Sequence, residues 1–163
     1  MKILSVFTKN LNNQTIKKIC KLKNSHWKFG FKSQIKYFKN NLKKNDIHNL
    51  IIKDNELIAY TALRNLNLFI NKKKIRYLRF DTLIINKKFR GKGYSNKIME
   101  LNNTIIKNKK KPSILVCKKN MVKFYSNHGW VIIKKNRIKI TKNLQKNFMI
   151  YNKILNNKSI FLF

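Results

Sequence analysis

The stretch Arg90-Gly91-Lys92-Gly93-Tyr94-Ser95 decides how the rest of this sequence is interpreted. It combines two glycines with an arginine and a lysine, and it separates an alternating segment, Ile75 to Ile85, from a segment with helical spacing, Ile98 to Ile106. Glycines let a backbone approach a ligand, and the first amides of a helix have no partners within the helix. Because the helix dipole also favours negative charge there, the stretch predicts a phosphate-binding loop. An ordinary strand-to-helix turn is the alternative, and the six residues alone do not decide between the two.

The segment before the loop predicts a strand from about Ile75 to Ile85, reached across Lys72-Lys73-Lys74. Side chains of a strand alternate between its two faces, so every second residue shares a face. One face is predicted to carry Tyr77, Arg79, Asp81, Leu83 and Ile85. The strand therefore places a carboxylate on the same face as two apolar residues that precede the loop.

The remaining elements follow from short patterns of apolar, capping and turn residues. We expect a strand at Met1 to Phe7, a helix capped by Asn13, a helix starting at Ser33, a hairpin of Asn49 to Ile52 with Leu57 to Leu63, a helix ending near Asn108, a strand at Ser113 to Cys117, a helix at Asn120 to Asn127, and strands at Trp130 to Ile133 and Phe148 to Tyr151. This order predicts an α/β (α+β) fold with a mixed sheet flanked by about four helices, forming a single domain over residues 1–163.

The charge balance is extreme, with 39 Lys plus Arg against 5 Asp plus Glu and a formal net charge of +34. The abundance of Lys, Asn and Ile is typical of an A+T-rich coding bias, whereas the shortage of acids favours a surface for anionic partners. Both interpretations stay open. The basic residues are dispersed, with Lys72 to Lys74 and Lys109 to Lys111 as the runs of three, so the sequence shows no compact nucleic-acid footprint.

Several further properties are expected from what the sequence contains. Cys20 and Cys117 are too few for a disulfide framework and are predicted to be buried, reduced thiols. The apolar stretch Ile3 to Phe7 is too short for a signal peptide, and no run reaches the length of a membrane span, which predicts a cytoplasmic protein with no membrane partner. No Cys and His cluster has metal-ligand spacing, so no metal is expected. The tail Ile160 to Phe163 is expected to pack against the domain or across a dimer, giving a monomer or a homodimer.

A second segment, Phe124-Tyr125-Ser126-Asn127-His128-Gly129-Trp130, lies one predicted helix and one predicted strand after the loop. With the loop and the element order, it resembles the GNAT superfamily of N-acetyltransferases. The family pattern of Arg or Gln, two residues, Gly, one residue, and Gly or Ala matches Arg90 and Gly93, and Ser95 departs from it. The family's aromatic-Tyr pair followed by Gly and an aromatic residue matches Phe124, Tyr125, Gly129 and Trp130.

This resemblance implies a largely antiparallel mixed sheet with two splayed parallel strands, here ending near Ile85 and Cys117. It implies acetyl-coenzyme A as cosubstrate, with its pyrophosphate held by the residues from Arg90 to Ser95, namely Arg90, Gly91, Lys92, Gly93, Tyr94 and Ser95. Backbone groups around Leu83 and Ile85 would hydrogen-bond the amides of the pantetheine arm.

The resemblance also suggests catalytic roles. Tyr125 would be the general acid, with a core-anchoring tyrosine as the alternative. Asp81 would take the proton of an ammonium substrate, with an ion pair to Arg79 or Arg76 as the alternative. His26 and Trp27 would line the acceptor pocket, although a lone histidine is more often structural or exposed. We interpret three other residues as structural: Asp46, His48 and His128.

The sequence therefore predicts an acetyl-coenzyme A-dependent N-acetyltransferase acting on a primary amine, with a small molecule such as an amino sugar as the leading acceptor. The high positive charge would favour anionic acceptors, and the alternative acceptor is an RNA-linked amine such as aminoacyl-tRNA. The rival from another class is a non-catalytic polyanion-binding protein on the same fold, in which nucleic acid is the partner.

Overall fold

The computed structural model describes residues 1–70, 73–134, 138–140, 147–152 and 160–162. These residues divide into two compact units. The first consists of Met1–Arg64 with Asp81–Asn102, and the second consists of the described residues of Asn65–Phe80 and Asn103–Phe163. Two long strands pass from one unit into the other, and the single-domain organisation stays a prediction.

The described elements follow the predicted order, with two added strands. They are β1 (Lys2–Phe7), α1 (Asn13–His26), α2 (Phe31–Asn41), β2 (Ile47–Lys53), β3 (Glu56–Ile70), β4 (Lys73–Ile85), α3 (Tyr94–Asn108), β5 (Ser113–Cys117), α4 (Val122–Ser126), β6 (Val131–Ile132), β7 (Ile138–Ile140), β8 (Asn147–Tyr151) and β9 (Ile160–Leu162). Lys72 of the predicted lysine run and Phe163 of the predicted tail lie outside the described residues.

The sheet of the first unit has the strand order β1-β2-β3-β4, and the β1–β2 and β2–β3 pairs are antiparallel. The predicted hairpin joins β2 to β3 through Asp54 and Asn55, whose φ angles are +48° and +60°. Short polar residues of this type tolerate the left-handed conformation that tight hairpin turns require. Both strands are longer than the sequence pattern predicted.

Opposite faces of this sheet are covered by different helices. On one face, Leu50 and Tyr60 pack with Ile19 of α1 and Phe38 of α2 in one buried cluster. The next positions along the strands point the other way: Ile51 and Ala59 cluster with Ile98 of α3. The period-two alternation of each strand therefore builds two cores at once.

A buried polar group also fixes α3 to the sheet. Asn49 Nδ2 donates to Thr61 Oγ1 and to Asn102 Oδ1, each at 3.1 Å, and Thr61 Oγ1 lies 3.3 Å from the same Asn102 oxygen. All three residues are fully buried. Because buried polar atoms need hydrogen-bond partners at defined positions, these three side chains restrict the position of α3 on the sheet.

The helix starts differ slightly from the prediction. Asn12 caps α1, with its Oδ1 accepting from the Thr15 amide at 2.8 Å, so the cap lies one residue before Asn13. The second helix begins at Phe31 because Gly30, at φ +87°, supplies the non-helical cap conformation. Ser33 therefore lies in the first turn of α2 and does not begin the helix.

The second unit contains a mixed set of strands in the order β3-β4-β5-β8-β6. Leu78–Phe80 of β4 run parallel to Ser113–Leu115 of β5, and the pairing ends there. The β5–β8 and β8–β6 pairs are antiparallel. The core of this unit includes Leu68, Tyr77, Ile114, Phe148 and Ile150. The predicted α/β class with mixed strand directions and four helices is thereby confirmed.

The tail and the last predicted elements differ in detail. The backbone of β9 pairs with Phe69 and Ile70 of β3 and runs parallel to β7, as expected of a tail that packs against the domain. The predicted helix at Asn120 to Asn127 divides into a 3-10 turn, Lys119–Met121, and the short α4. The strand predicted at Trp130 to Ile133 is shorter, since β6 holds two residues. Both cysteines are free and buried.

Candidate active site

The glycine loop turns sharply before α3. Gly91 and Gly93 have φ angles of +74° and +76°, a region that disfavours residues with a Cβ. The Gly93 carbonyl accepts from the amides of Asn96 and Lys97, each at 3.2 Å, and so begins the helix at Tyr94. Within the described part of the chain, the amides of residues 91–95 donate to no carbonyl or side chain. They are left for an external acceptor.

The loop has open space and positive charge around its two glycines. A Cβ placed on Gly91 or Gly93 would meet no atom within 4 Å, so the protein's own packing does not require glycine at either position. The space beside both glycines is therefore open. Arg90 and Lys92 are exposed beside it, and Ser95 is half-buried in the first turn of α3. Two cations, free amides and a helix dipole favour an anion at this position.

Arg90 is held at the base of the loop. Its Nε donates to the Ile85 carbonyl at 3.3 Å, and its Nη2 lies 3.4 Å from Nδ1 of His26. Leu83 and Ile85 are half-buried and pack with Tyr94 against the Ile58 and Ile98 cluster. The end of β4 and the start of α3 therefore form one packed corner. Arg90 is hydrogen-bonded to this corner through the Ile85 carbonyl.

A cavity of about 460 Å³ lies in the same unit, between the first two helices and β4. Its aromatic walls are Trp27, Phe29 and Tyr37, and the charged residues that line it are Lys23 and Asp81. Trp27 thus lines a cavity, and its predicted contact with the acceptor stays a prediction. The His26 side chain is exposed and lies beside Arg90. Its ring contacts the Trp27 ring edge-on, with the ring centres 4.7 Å apart, so His26 lies next to the part of the cavity wall that Trp27 forms.

Asp81 is positioned by an arginine that the sequence did not indicate. Arg64 Nη1 lies 3.9 Å from Asp81 Oδ2, and Arg64 Nε lies 4.0 Å from Asp46 Oδ2. The same guanidinium donates to the Asn41 carbonyl at 2.8 Å and to the Tyr37 hydroxyl at 3.4 Å. Arg64 therefore connects the end of α2 to a carboxylate in the cavity wall. The sequence had suggested Arg79 or Arg76 as the ion-pair partner.

Lys23 is the unexpected member of this cavity. Its relative exposure is 7%, and its Nζ lies 4.9 Å from the centre of the Tyr37 ring. Burial lowers the pKa of Lys23, the charges of Asp81 and Cys20 oppose that effect, and the charge of Arg64 adds to it. Nothing in the sequence distinguishes Lys23 from the other lysines of α1.

The structural interpretation of Asp46 and His48 agrees with their contacts. Asp46 Oδ2 accepts from the Lys43 amide at 2.8 Å, closing the turn before β2. His48 is fully buried; its Nε2 lies 2.8 Å from Thr8 Oγ1 and its Nδ1 lies 2.9 Å from the Tyr60 hydroxyl. Burial, and secondarily the charge of Lys23, lower the pKa of His48 to about 4. The ring is therefore neutral at physiological pH.

Tyr125 belongs to the second unit, where the Phe124 to Trp130 segment forms a tight corner. Gly129, at φ +79°, reverses the chain after α4, so that the amides of His128 and Trp130 both donate to the Tyr125 carbonyl, at 3.0 and 3.1 Å. The Trp130 indole donates to Asn103 Oδ1 at 3.1 Å. The Tyr125 ring is buried and contacts Phe80 edge-on. Burial, and secondarily the charge of Cys117, raise its pKa, so the hydroxyl keeps its proton.

Across residues 1–70, 73–134 and the shorter described segments, no group of three or more His, Cys, Asp or Glu side chains could hold a metal ion. In the same part of the chain, no helix is long and apolar enough to cross a membrane.

A glycine turn that can hold an anion at the start of a helix, with a cavity in the same unit, is compatible with a transferase that uses a phosphate-bearing cosubstrate. The sequence matches the family described as the acetyltransferase (GNAT) domain over residues 10–142. The chain belongs to the GNAT acetyltransferase family and is an acyltransferase, as the two motifs predicted. No curated protein matches the sequence.

Solved structures share the fold at low sequence identity. Escherichia coli ElaA has a TM-score of 0.68 and 14% identity, covering 91% of this chain and 97% of its own. The Bacillus subtilis N-acetyltransferase YlbP, solved with coenzyme A, has a TM-score of 0.60 and 16% identity, with coverage of 92% and 95%. An aminoglycoside 6'-acetyltransferase type Ii has a TM-score of 0.65 and 13% identity, with coverage of 96% and 99%.

Proposed function

We propose that this protein transfers the acetyl group of acetyl-coenzyme A to a primary amine of a small molecule, such as an amino sugar. The observation that carries the proposal is the pair of positive-φ glycines that leave the amides of residues 91–95 without partners among the described residues at the start of α3. Family membership supplies the reaction class, and the loop supplies the anion site that such a cosubstrate needs.

The loop is assigned to the diphosphate of the coenzyme. The amides of Gly91, Lys92, Gly93, Tyr94 and Ser95 would donate to its oxygens, with Arg90 and Lys92 balancing its charge. The backbone of Leu83 and Ile85 would bond the amides of the pantetheine arm. When bound, acetyl-coenzyme A supplies an acetyl thioester that is activated for attack by an amine.

The cavity beside Asp81 is assigned to the acceptor. An amine attacks only in its neutral form, whereas a primary amine is largely protonated at neutral pH. Asp81 lines the cavity with its side chain 17% exposed, so it can hold the ammonium group and accept its proton, directly or through a water molecule. Trp27 offers an apolar wall for the acceptor body, and His26 lies next to it.

Tyr125 is assigned as the general acid. A leaving thiolate needs a proton, and the Tyr125 hydroxyl is a proton donor at neutral pH. The corner from Tyr125 to Trp130 fixes the backbone of this residue through two hydrogen bonds to its carbonyl.

The proposal is tested by following thiol release from acetyl-coenzyme A with a panel of primary amines. We expect saturable, acceptor-dependent release together with an acetylated amine identified by mass spectrometry. The proposal is wrong if no amine increases thiol release above the rate without acceptor and calorimetry detects no coenzyme binding. In that case, RNA binding that weakens steeply with salt would favour a polyanion-binding protein.

A further inference from the structure

We propose that the cavity beside Asp81 selects acceptors that carry a carboxylate as well as the amine, and that Lys23 binds this carboxylate. The inference rests on the proposed function and specifies its substrate class. It comes from a lysine that the protein buries near the charge of Asp81 but without a hydrogen bond or an ion pair among the described residues.

Lys23 is buried, with 7% of its surface exposed, although lysine is rarely buried without a partner. Within the described residues, its Nζ makes neither a hydrogen bond nor an ion pair, and its close neighbour is the Tyr37 ring at 4.9 Å. A cation over an aromatic ring is stabilised when both groups are desolvated. Burying an ammonium group costs more free energy than one such contact contributes. The ring alone therefore does not balance the burial of this charge.

The carboxylate in the cavity wall, that of Asp81, acts on Lys23 through its charge, but the two form no ion pair among the described residues. Asp81 lies 3.9 Å from Arg64, and Arg64 is in turn held by the end of α2. Lys23 and Asp81 both line the cavity, so a ligand there meets one cation and one anion.

A zwitterionic acceptor satisfies both charges. Its ammonium group would lie against Asp81, where the proton must be removed, and its carboxylate would lie against Lys23. The single positive charge of Lys23 balances one carboxylate of the acceptor. The rings of Trp27, Phe29 and Tyr37 provide surface for the apolar part of the acceptor. Burial lowers the pKa of Lys23, and a bound carboxylate would raise it again. The acceptor class is thus a small amino acid or a related amino carboxylic acid.

The inference is tested with pairs of acceptors that differ by the carboxylate: phenylalanine with phenethylamine, and leucine with isoamylamine. For the wild-type protein we expect kcat/KM to be about 10-fold or more higher for the acid of a pair, which corresponds to about 1.4 kcal/mol. Lys23→Met keeps the length of the side chain and removes the charge. It should abolish the preference while changing kcat/KM for the simple amines less than about 3-fold.

Lys21→Met is the matched control, because Lys21 is an exposed lysine on the same helix, and it should keep the wild-type preference. Circular dichroism checks that each variant is folded. The inference is overturned if the wild-type protein shows no preference for the acids. It is also overturned if Lys23→Met weakens acids and simple amines equally, since Lys23 would then serve the amine itself.

A binding measurement separates this inference from the proposed function. Calorimetry with 3-phenylpropanoate, which lacks the amine, needs no coenzyme and no turnover. We expect binding to the wild-type protein that is about 10-fold weaker or lost in Lys23→Met and unchanged in Lys21→Met. If this pattern holds but no amine is acetylated, the proposed function fails and the carboxylate site stands. If amines are acetylated but 3-phenylpropanoate binds neither protein, the inference fails and the function stands.

Discussion

Arg64 Nη1 lies 3.9 Å from Asp81 Oδ2, and Arg64 Nε lies 4.0 Å from Asp46 Oδ2, so one guanidinium faces two carboxylates. The Asp46 side chain is 1% exposed and that of Asp81 is 17% exposed. Removing the arginine would leave both charges in low dielectric without this partner. Arg64 is therefore a positioning residue for the carboxylate that lines the cavity.

We predict that Arg64→Leu lowers the free energy of unfolding by about 3 kcal/mol, because breaking a buried ion pair leaves an uncompensated charge. Urea denaturation measures the change. Arg76→Leu is the control, since Arg76 is exposed on β4, and it should change stability by less than about 0.5 kcal/mol. Equal stabilities for the two variants would show that Arg64 does not hold the two carboxylates.

Asp81→Asn keeps the size of the side chain and removes the proton acceptor. We predict that kcat/KM falls about 100-fold at pH 7, which is the usual contribution of a general base. The deficit should shrink as the pH approaches the pKa of the acceptor amine, because the substrate then loses its proton unaided. A deficit that stays constant across this pH range would restrict Asp81 to binding.

Tyr125→Phe removes the hydroxyl alone. We predict a drop in kcat of about 100-fold with coenzyme affinity unchanged within about 2-fold, because the group acts on the leaving thiolate. Tyr151→Phe is the control, since Tyr151 stacks on Trp130 in the same unit, and it should keep the wild-type kcat. Wild-type turnover in Tyr125→Phe would make Tyr125 a packing residue.

Because His48 is buried, the free energy of unfolding decreases as the pH falls. Its pKa falls from 6.5 to about 4 in the folded protein, so between these values the unfolded chain binds more protons. The stability it contributes is complete above pH 6.5 and is lost as the pH falls towards 4. At pH 5 the loss is about 2 kcal/mol.

Urea denaturation at pH 7.5 and pH 5 tests this prediction. His48→Gln should lose about 2 kcal/mol less than the wild-type protein over this interval, because glutamine does not titrate. His26→Gln, which alters an exposed side chain, should follow the wild-type protein. The same pH dependence in wild type and His48→Gln would contradict the account.

The parts of the site that the sequence predicted are those set by local patterns. The glycine loop, the alternation of β4 and the end of α3 before Pro112 each depend on neighbours a few residues apart. The family motifs then gave Tyr125 its candidate role.

Arg64 and Lys23 were not predicted, because their importance arises from contacts between elements far apart in the sequence. Lys23 looks like any other lysine of α1 until α2 and β4 cover it. One feature of the sequence could have indicated Arg64. Only five of the 39 basic residues are arginine, and arginine is favoured over lysine where carboxylates must be paired, so each arginine is a candidate for such a role. The helix caps Asn12 and Gly30 were missed for a different reason, since several adjacent residues could serve as caps.

The central claim is that the loop from Arg90 to Ser95 holds the coenzyme, and calorimetric titration with coenzyme A tests it most directly. We predict saturable binding to the wild-type protein and binding at least about 30-fold weaker, or about 2 kcal/mol, in Gly93→Glu. Gly30→Glu, which also places a glutamate at positive φ but at the start of α2, should bind within about 3-fold of wild type. Coenzyme binding that is unchanged in a folded Gly93→Glu protein would contradict the claim.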